Sequence, residues 1–376
     1  MQIIDKTLEL PLNSLSAITA FLRSEKEKYC FFDIETTGLS ARISSLYLIG
    51  ALWYDPDDQS IHIRQWFADD YISEKEIITS FRHFLSIFTT VIHYNGSGFD
   101  IPYIEKKCAE LELPSPFSSI KSLDIYSEIR RFKSLFDVPD LKLFTVEKLA
   151  GFMRKDILTG KDCIQTYSQF MQKKYFKDPA MEMEKQKLLL HNAEDIIGTF
   201  YAAQFLSYKC DFHFKFQKET ENSVQMNFTA PSPFPFPVEY EFPLTHSRET
   251  NSASSIASVI FQDTDILLRI PFFTGTLRHY FGNYKDYFYL PAEDTAIHKS
   301  VGTYVDKEFR EQAKASNCYI KKDAAFLPVP EKLRYKDLLF FRKDYKSKQN
   351  YILWEEKAKK DSFLMEEILH LLLNSL

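Results

Sequence analysis

The run Tyr29-Cys30-Phe31-Phe32-Asp33-Ile34-Glu35-Thr36-Thr37-Gly38 closes an apolar stretch with two carboxylates at i and i+2. Side chains alternate along an extended strand, so Asp33 and Glu35 share one face. Two neighbouring anions at the end of a buried strand repel, and leaving them desolvated and unpaired costs on the order of several kcal/mol. A bound divalent cation removes that conflict, and magnesium suits hard oxygen ligands. A solvated strand end, with both acids facing water, fits the same pattern. A second run, His93-Tyr94-Asn95-Gly96-Ser97-Gly98-Phe99-Asp100-Ile101-Pro102-Tyr103, passes from a strand into a helix with an acid at the entry. Asp100 reads equally as the far member of a capping box, Ser97-x-x-Asp100, with Pro102 in the first turn. A third, Leu188 to Ile197, is helical in pattern and sets His191 and Asp195 one turn apart on one face. By itself such a pair is an ordinary structural hydrogen bond.

The elements that must position these groups form an α/β domain over residues 1–208, a mixed sheet with flanking helices. Lys28–Phe32, Ser44–Tyr54, Ile61–Phe67 and Thr90–Tyr94 read as strands, the first three as an antiparallel meander. Helices are expected near residues 73–88, 98–111, 142–152 and 182–208. A Pro- and Ser-rich connection is expected over 209–258, five prolines falling between Pro231 and Pro243. An α+β C-terminal domain over 259–376 follows, with strands at 258–273 and 284–290, then helices. In the last helix Leu364, Ile368, Leu371 and Leu372 form a core stripe.

The chain has 376 residues, 45% hydrophobic and 26% charged, with a net charge of −5. That balance excludes a disordered or collagen-like chain and a generally basic nucleic-acid binder. No apolar run approaches the roughly 18 residues a bilayer span requires. With no signal pattern at the N-terminus, a cytoplasmic location is expected, and no membrane partner. Five scattered cysteines form no C-x-x-C pair and read as reduced thiols.

The three acidic runs together resemble the DEDD superfamily of 3′→5′ exonucleases on the ribonuclease H-like fold. Its first motif, D-I-E-T-T-G, stands at Asp33 to Gly38, and the second run is similar to the N-x-x-x-F-D-x-P-Y motif of family B DNA polymerase proofreading domains. Within that superfamily the chain most resembles the YprB-type bacterial ribonuclease H-like proteins, whose Arg-x-Asp-Ile-x-x-Gly stretch is echoed by Arg154, Asp156, Ile157 and Gly160. The resemblance covers roughly residues 28–208. It implies four metal-ligand carboxylates, Asp33, Glu35, Asp100 and Asp195, holding two divalent ions, Mg²⁺ or Mn²⁺, about 3.5 to 4 Å apart for in-line phosphodiester hydrolysis. His191 is then the general base or the group orienting the attacking water. Members with a catalytic Tyr place it four residues before the last Asp and those with a His five before, whereas this chain has a His at the Tyr spacing. Thr36, Thr37 and Gly38 would lie against the 3′-terminal nucleotide, and Asn95 and Phe99 against a base or sugar. Asp124 reads as structural.

The expected function is thus a metal-dependent 3′→5′ exonuclease acting on single-stranded DNA or RNA. A catalytically weak nuclease-like domain serving as a nucleic-acid-binding or scaffold protein is the alternative. Between Lys332 and Lys348 basic and aromatic residues interleave against only Asp337 and Asp344, and Arg278, His279, Tyr280, Tyr284 and Lys285 form a weaker cluster of the same kind. Phosphate attraction with base stacking is one reading of such runs; a solvated strand or loop is the other.

Overall fold

The computed structural model describes residues 1–24, 27–243, 256–336 and 338–376. The chain divides into two compact units, Met1–Asp211 with Pro231–Phe236, and Phe212–Ala230 with Pro237–Leu376.

The first unit runs β1 (Gln2–Leu8), α1 (Asn13–Leu22), β2 (Tyr29–Thr36), β3 (Leu46–Asp55), β4 (Ser60–Phe67), α2 (Glu74–Leu85), β5 (Thr90–His93), α3 (Asp100–Glu110) and β6 (Lys121–Asp124). It continues through the short α4 (Ile125–Ile129) and α5 (Lys133–Phe136) to α6 (Leu143–Leu149), α7 (Gly160–Tyr175) and α8 (Met181–Ala202). One six-stranded sheet, ordered β1-β4-β3-β2-β5-β6, organises it. β2, β3 and β4 form the expected antiparallel meander, while β5 joins β2 and β6 joins β5 in parallel. β2 is apolar on both faces because both are covered. Phe32 packs on Phe81 of α2 and on Phe117, and Phe31 on Phe200 of α8. The mixed α/β architecture expected from the sequence is therefore the one found.

Among the elements not anticipated are β1, α1 and α7. β1 pairs with β4 and widens the sheet. α7 opens on a capping box, Thr159 accepting from the Asp162 amide while the Asp162 carboxylate takes the Thr159 amide. The long helix expected over 182–208 is α8, which tightens into a 3₁₀ turn over Ala203–Lys209.

The second unit corrects the reading of 209–258 as a connection. It contains β7 (His213–Glu219), β8 (Ser223–Thr229) and β9 (Val238–Pro243), which join β10 (Ile256–Gln262) and β11 (Asp265–Pro271) in an antiparallel sheet ordered β7-β8-β11-β10-β9. The strand signal was the alternation Val224, Met226, Phe228, all buried. The prolines do not make a linker: Phe234 and Phe236, set between them, pack on Tyr208, Phe136 and Phe205 of the first unit's own core. The polar stretch from His246 to residue 255 lies outside the described residues.

β12 (Phe273–Tyr280), β13 (Tyr287–Leu290), β14 (Thr295–His298), α9 (Lys299–Gly302), β15 (Glu311–Gln312), β16 (Tyr319–Val329), β17 (Phe340–Phe341), β18 (Asn350–Leu353), α10 (Glu356–Lys359) and α11 (Ser362–Leu373) complete the unit. This region is richer in strand than the sequence suggested. A four-stranded sheet runs β12-β16-β18-β17 and a three-stranded one β14-β13-β15. α11 buries Leu364, Ile368 and Leu372 of the expected stripe, while Leu371 is only half-buried and Met365, Leu369 and Leu373 complete the buried face.

Candidate functional site

Asp33 and Glu35 stand near the C-terminal end of β2, where the register against β3 slips between Glu35 and Thr36. Such bulges end regular pairing and re-aim side chains at strand ends. Asp33 pairs across the sheet with Gly50 of β3. A Cβ at Gly50 would stand 2.2 Å from Asn192 Oδ1 and 2.3 Å from Ile196 Cδ1, so this glycine is what lets α8 lie close over the two acids.

α8 then delivers three side chains. Asn192 Nδ2 donates to Asp33 Oδ2 at 2.9 Å, and its own Oδ1 accepts from Gln65 Nε2 at 2.9 Å. His191 Nδ1 lies 2.6 Å from Asp156 Oδ2, which turns Nε2 toward Glu35 Oε1 at 3.5 Å and Asp195 Oδ2 at 3.4 Å. Asp195 Oδ1 accepts from Arg154 Nη1, and Arg154 is held by the buried Glu147 through Nε and through Nη2 at 2.6 Å. Gly198 leaves room for this pair, since a Cβ there would meet Glu147 Oε2 at 2.0 Å. The Asp156 segment is itself fixed: Glu194 accepts from the amides of Lys155 and Asp156.

Asp100 is the first residue of α3, and Phe99 before it makes no side-chain cap. It therefore does not serve as the capping-box acid. The backbone amides of Asp100 itself and of Ile34 in β2 favour its charged form, against the burial that raises it. Asp33, Glu35, Asp100, His191 and Asp195 line one cleft of about 640 Å³ together with Thr36, Leu39, Phe99, Lys161 and Ile164.

The electrostatics of the cleft are those of crowded, desolvated acids. Burial pushes Glu35 up to about 8, against the relief offered by His191, and Asp195 and Asp100 add to the rise. Burial likewise pushes Asp100 up to about 7. Asp33 is raised well above its ordinary value by burial and then by Asp195, Asp100 and Glu35. For His191 burial pulls down, but the charges of Asp195 and Glu35 and the bond to Asp156 prevail, so the imidazole holds its proton more firmly than usual. Oxygens of Asp33, Glu35 and Asp195 lie within 4.8 Å of one another, and Asp100 lines the same cleft without joining that group. Hard oxygen donors converging at this spacing, with raised proton affinity and too little positive charge among them, fit a divalent cation. Cys163, near Glu35 and His191, is buried and its thiol is pushed up, so it offers no soft thiolate.

Of the proposed substrate contacts, Thr36 and Phe99 line the cleft. Thr37, Gly38 and Asn95 do not. Thr37 closes the following loop on Ser45 through both its amide and its hydroxyl, and Gly38 O accepts from Thr36 and Ser44. Asn95 takes φ 60° and donates its amide to Asp124 Oδ1. Asp124 also caps α4, which is a structural role. Sequence reasoning missed Asn192, Glu147 and Lys161 and gave Asp156 and Arg154 no role. The signal for Asn192 was its place beside His191 on a helix already assigned to the site.

Residues 30–206 match the family model described as the RNase_H superfamily. This segment is an RNase H-like domain. A stretch of 128 residues is 28% identical to DNA polymerase 1 of Aeropyrum pernix; it covers 33% of this chain and 13% of that polymerase. Among solved structures, the family B DNA polymerase of Pyrobaculum calidifontis aligns at a TM-score of 0.35 and 11% identity, over 69% of this chain and 35% of that one. The zinc-bound form of the E. coli ExoI–ssDNA complex aligns at 0.30 and 12%, over 54% of each chain. The RNase H-like domain thus holds all five of the chemically reactive side chains singled out in the sequence.

Proposed function

We propose that the chain is a divalent-metal-dependent nuclease that removes nucleotides from the 3′ end of single-stranded nucleic acid. The observation that carries this reading is the convergence of Asp33, Glu35 and Asp195, with Asp100, in one cleft of an RNase H-like domain. Divalent cations held by these four acids would supply the positive charge that a phosphodiester needs as charge builds on its attacking and leaving oxygens.

The chain's own groups have distinct parts. Asp156 fixes the His191 ring through Nδ1, leaving Nε2 as the atom that holds or takes a proton at the cleft. Asn192 and Arg154 hold Asp33 and Asp195 in place. Phe99 and Thr36 offer a wall for the terminal sugar and base, and Lys161 on the rim a counter-charge for a phosphate. Arg154 and Asp156, both members of the YprB-type pattern, each reach a site residue, which favours that subfamily.

The test is a time course on 3′- and 5′-labelled single-stranded DNA and RNA with Mg²⁺, Mn²⁺ or EDTA. Shortening from the 3′ end that needs metal and is lost in Asp33→Asn and Asp195→Ala is the expected result. Binding without turnover under every metal condition would replace this reading with the scaffold one.

A further inference from the structure

The interleaved run between Lys332 and Lys348 is not one surface in the fold. Arg334 donates to the carbonyls of Glu331 and Leu333, and the Tyr335 hydroxyl donates to Asp361, the residue that caps α11. Lys332 and Lys348 line a separate pocket beside Tyr240 and Phe242. Arg342 to Tyr345 goes elsewhere. A bridge between Arg342 and Arg278, with amide-to-carbonyl bonds of 2.9 and 2.8 Å, joins the two edge strands of the β12-β16-β18-β17 sheet.

Directly opposed residues share a face of a sheet. Arg278 opposes both Lys321 and Arg342, and Tyr280 opposes Tyr319. The other face belongs to the core, through Leu277, Phe326, Phe341 and Tyr351. Arg278, Tyr280, Lys321 and Arg342 therefore stand on the opposite face, Lys321 exposed and the other three half-buried, and Tyr345, 47% exposed, sets its ring 5.5 Å from Tyr280. Part of each cluster, Arg342 to Tyr345 of the one and Arg278 with Tyr280 of the other, meets on this face.

Lys321 is neutralised by Asp294 at 3.0 Å. The two arginines have no such close ion pair, although Asp294 also acts on Arg278 from further away. Arg278 lies over the Tyr319 ring at 5.2 Å and donates to Lys343 O, and Arg342 Nε donates to Asn350 Oδ1, but among the described residues neither has a carboxylate within 4.0 Å. Like charges placed opposite each other weaken a strand pair, so an anion across them relieves a cost the fold otherwise carries. A small anion would leave the rings of Tyr280 and Tyr345 idle. A polyanion that also presents flat rings uses both kinds of group.

We infer that this face binds single-stranded nucleic acid, with phosphates on Arg278 and Arg342 and bases stacked on Tyr280 and Tyr345. The choice of nucleic acid over other polyanions rests on the nuclease reading; the charge and the rings do not.

The test is fluorescence anisotropy of the full chain in EDTA with labelled oligothymidylate and oligouridylate of about 20 nucleotides, longer than the usual single-strand footprint of one domain. Tyr345→Ala is expected to weaken binding roughly tenfold, the loss of one stacked base. Arg278→Ser combined with Arg342→Ser should make the slope of log affinity against log salt shallower by about 1.4, at about 0.7 per phosphate contact. Arg278→Lys with Arg342→Lys should keep the slope, separating loss of charge from loss of fold. Unchanged affinity in Tyr345→Ala together with an unchanged slope in the serine variant overturns the inference. Hydrolysis of a trinucleotide in Mg²⁺ reports the cleft independently: binding that depends on these residues, with no hydrolysis by the wild type, supports this surface while removing the nuclease reading.

Discussion

Asp33 takes a hydrogen bond from Asn192, whose amide is held in turn by Gln65. This chain sets where the acid's second oxygen points, and partners of this kind commonly change metal affinity by about 10- to 100-fold when removed. Asn192→Ala should therefore weaken Mn²⁺ binding by that order, read by calorimetry, while Asp33→Asn abolishes it. His191 poses a separate question at the same scale. Its ring angle is set by Asp156, so Asp156→Asn should lower kcat by about tenfold or more through a freed imidazole, with KM nearly unchanged. An unchanged kcat, with KM raised by the factor by which kcat/KM falls, would instead assign Asp156 to substrate binding.

Among the elements, β3 and α8 carry the geometry of the cleft. Gly50→Ala places a Cβ 2.2 Å from Asn192 Oδ1 and 2.3 Å from Ile196 Cδ1, which must be relieved by displacing those two side chains or by moving α8 away from β3. Overpacking of this kind costs typically about 1 to 3 kcal/mol. The expected outcome is a lower unfolding midpoint together with weaker Mn²⁺ binding, and a variant that kept both would show that α8 is not held by this contact. The bulge at Glu35 and Thr36 and the capping box at Thr159 act locally, one ending β2 beside the acids and the other setting Lys161 on the rim.

For the molecule as a whole, the crowded acids make stability without metal depend on pH. Asp33, Glu35 and Asp100 all have raised values in the folded chain, Glu35 about 8 and Asp100 about 7. The folded state thus holds more of these protons than the unfolded one between the ordinary carboxylate range and about pH 8. Their contribution is present below the unfolded values near 4 and is lost as pH rises through the folded ones. In EDTA the unfolding midpoint should fall as pH goes from about 5 to about 8, and Mg²⁺ should restore most of the loss at the upper end. Glu35→Gln should flatten the EDTA profile, and a flat wild-type profile would mean the acids are better solvated than the cleft implies.

Much of the site was legible one segment at a time. Alternation along β2 required Asp33 and Glu35 to share a face, and helical pitch required the same of His191 and Asp195; the meander and the apolar runs announced the mixed sheet. These are properties of the backbone repeat, which any short stretch of sequence carries. What lay between segments was not legible. Asp156 reaches His191 across 35 positions, Arg154 reaches Asp195 across 41, and Arg278 meets Arg342 across two strand edges. The strands of 212–243 were hidden for a related reason, since prolines that suggest a linker in isolation serve in the fold to set Phe234 and Phe236 into a core. Residue order along one strand or helix follows from bond geometry and so belongs to the sequence; which distant side chains meet depends on how helices and sheets pack, and that only the tertiary structure decided.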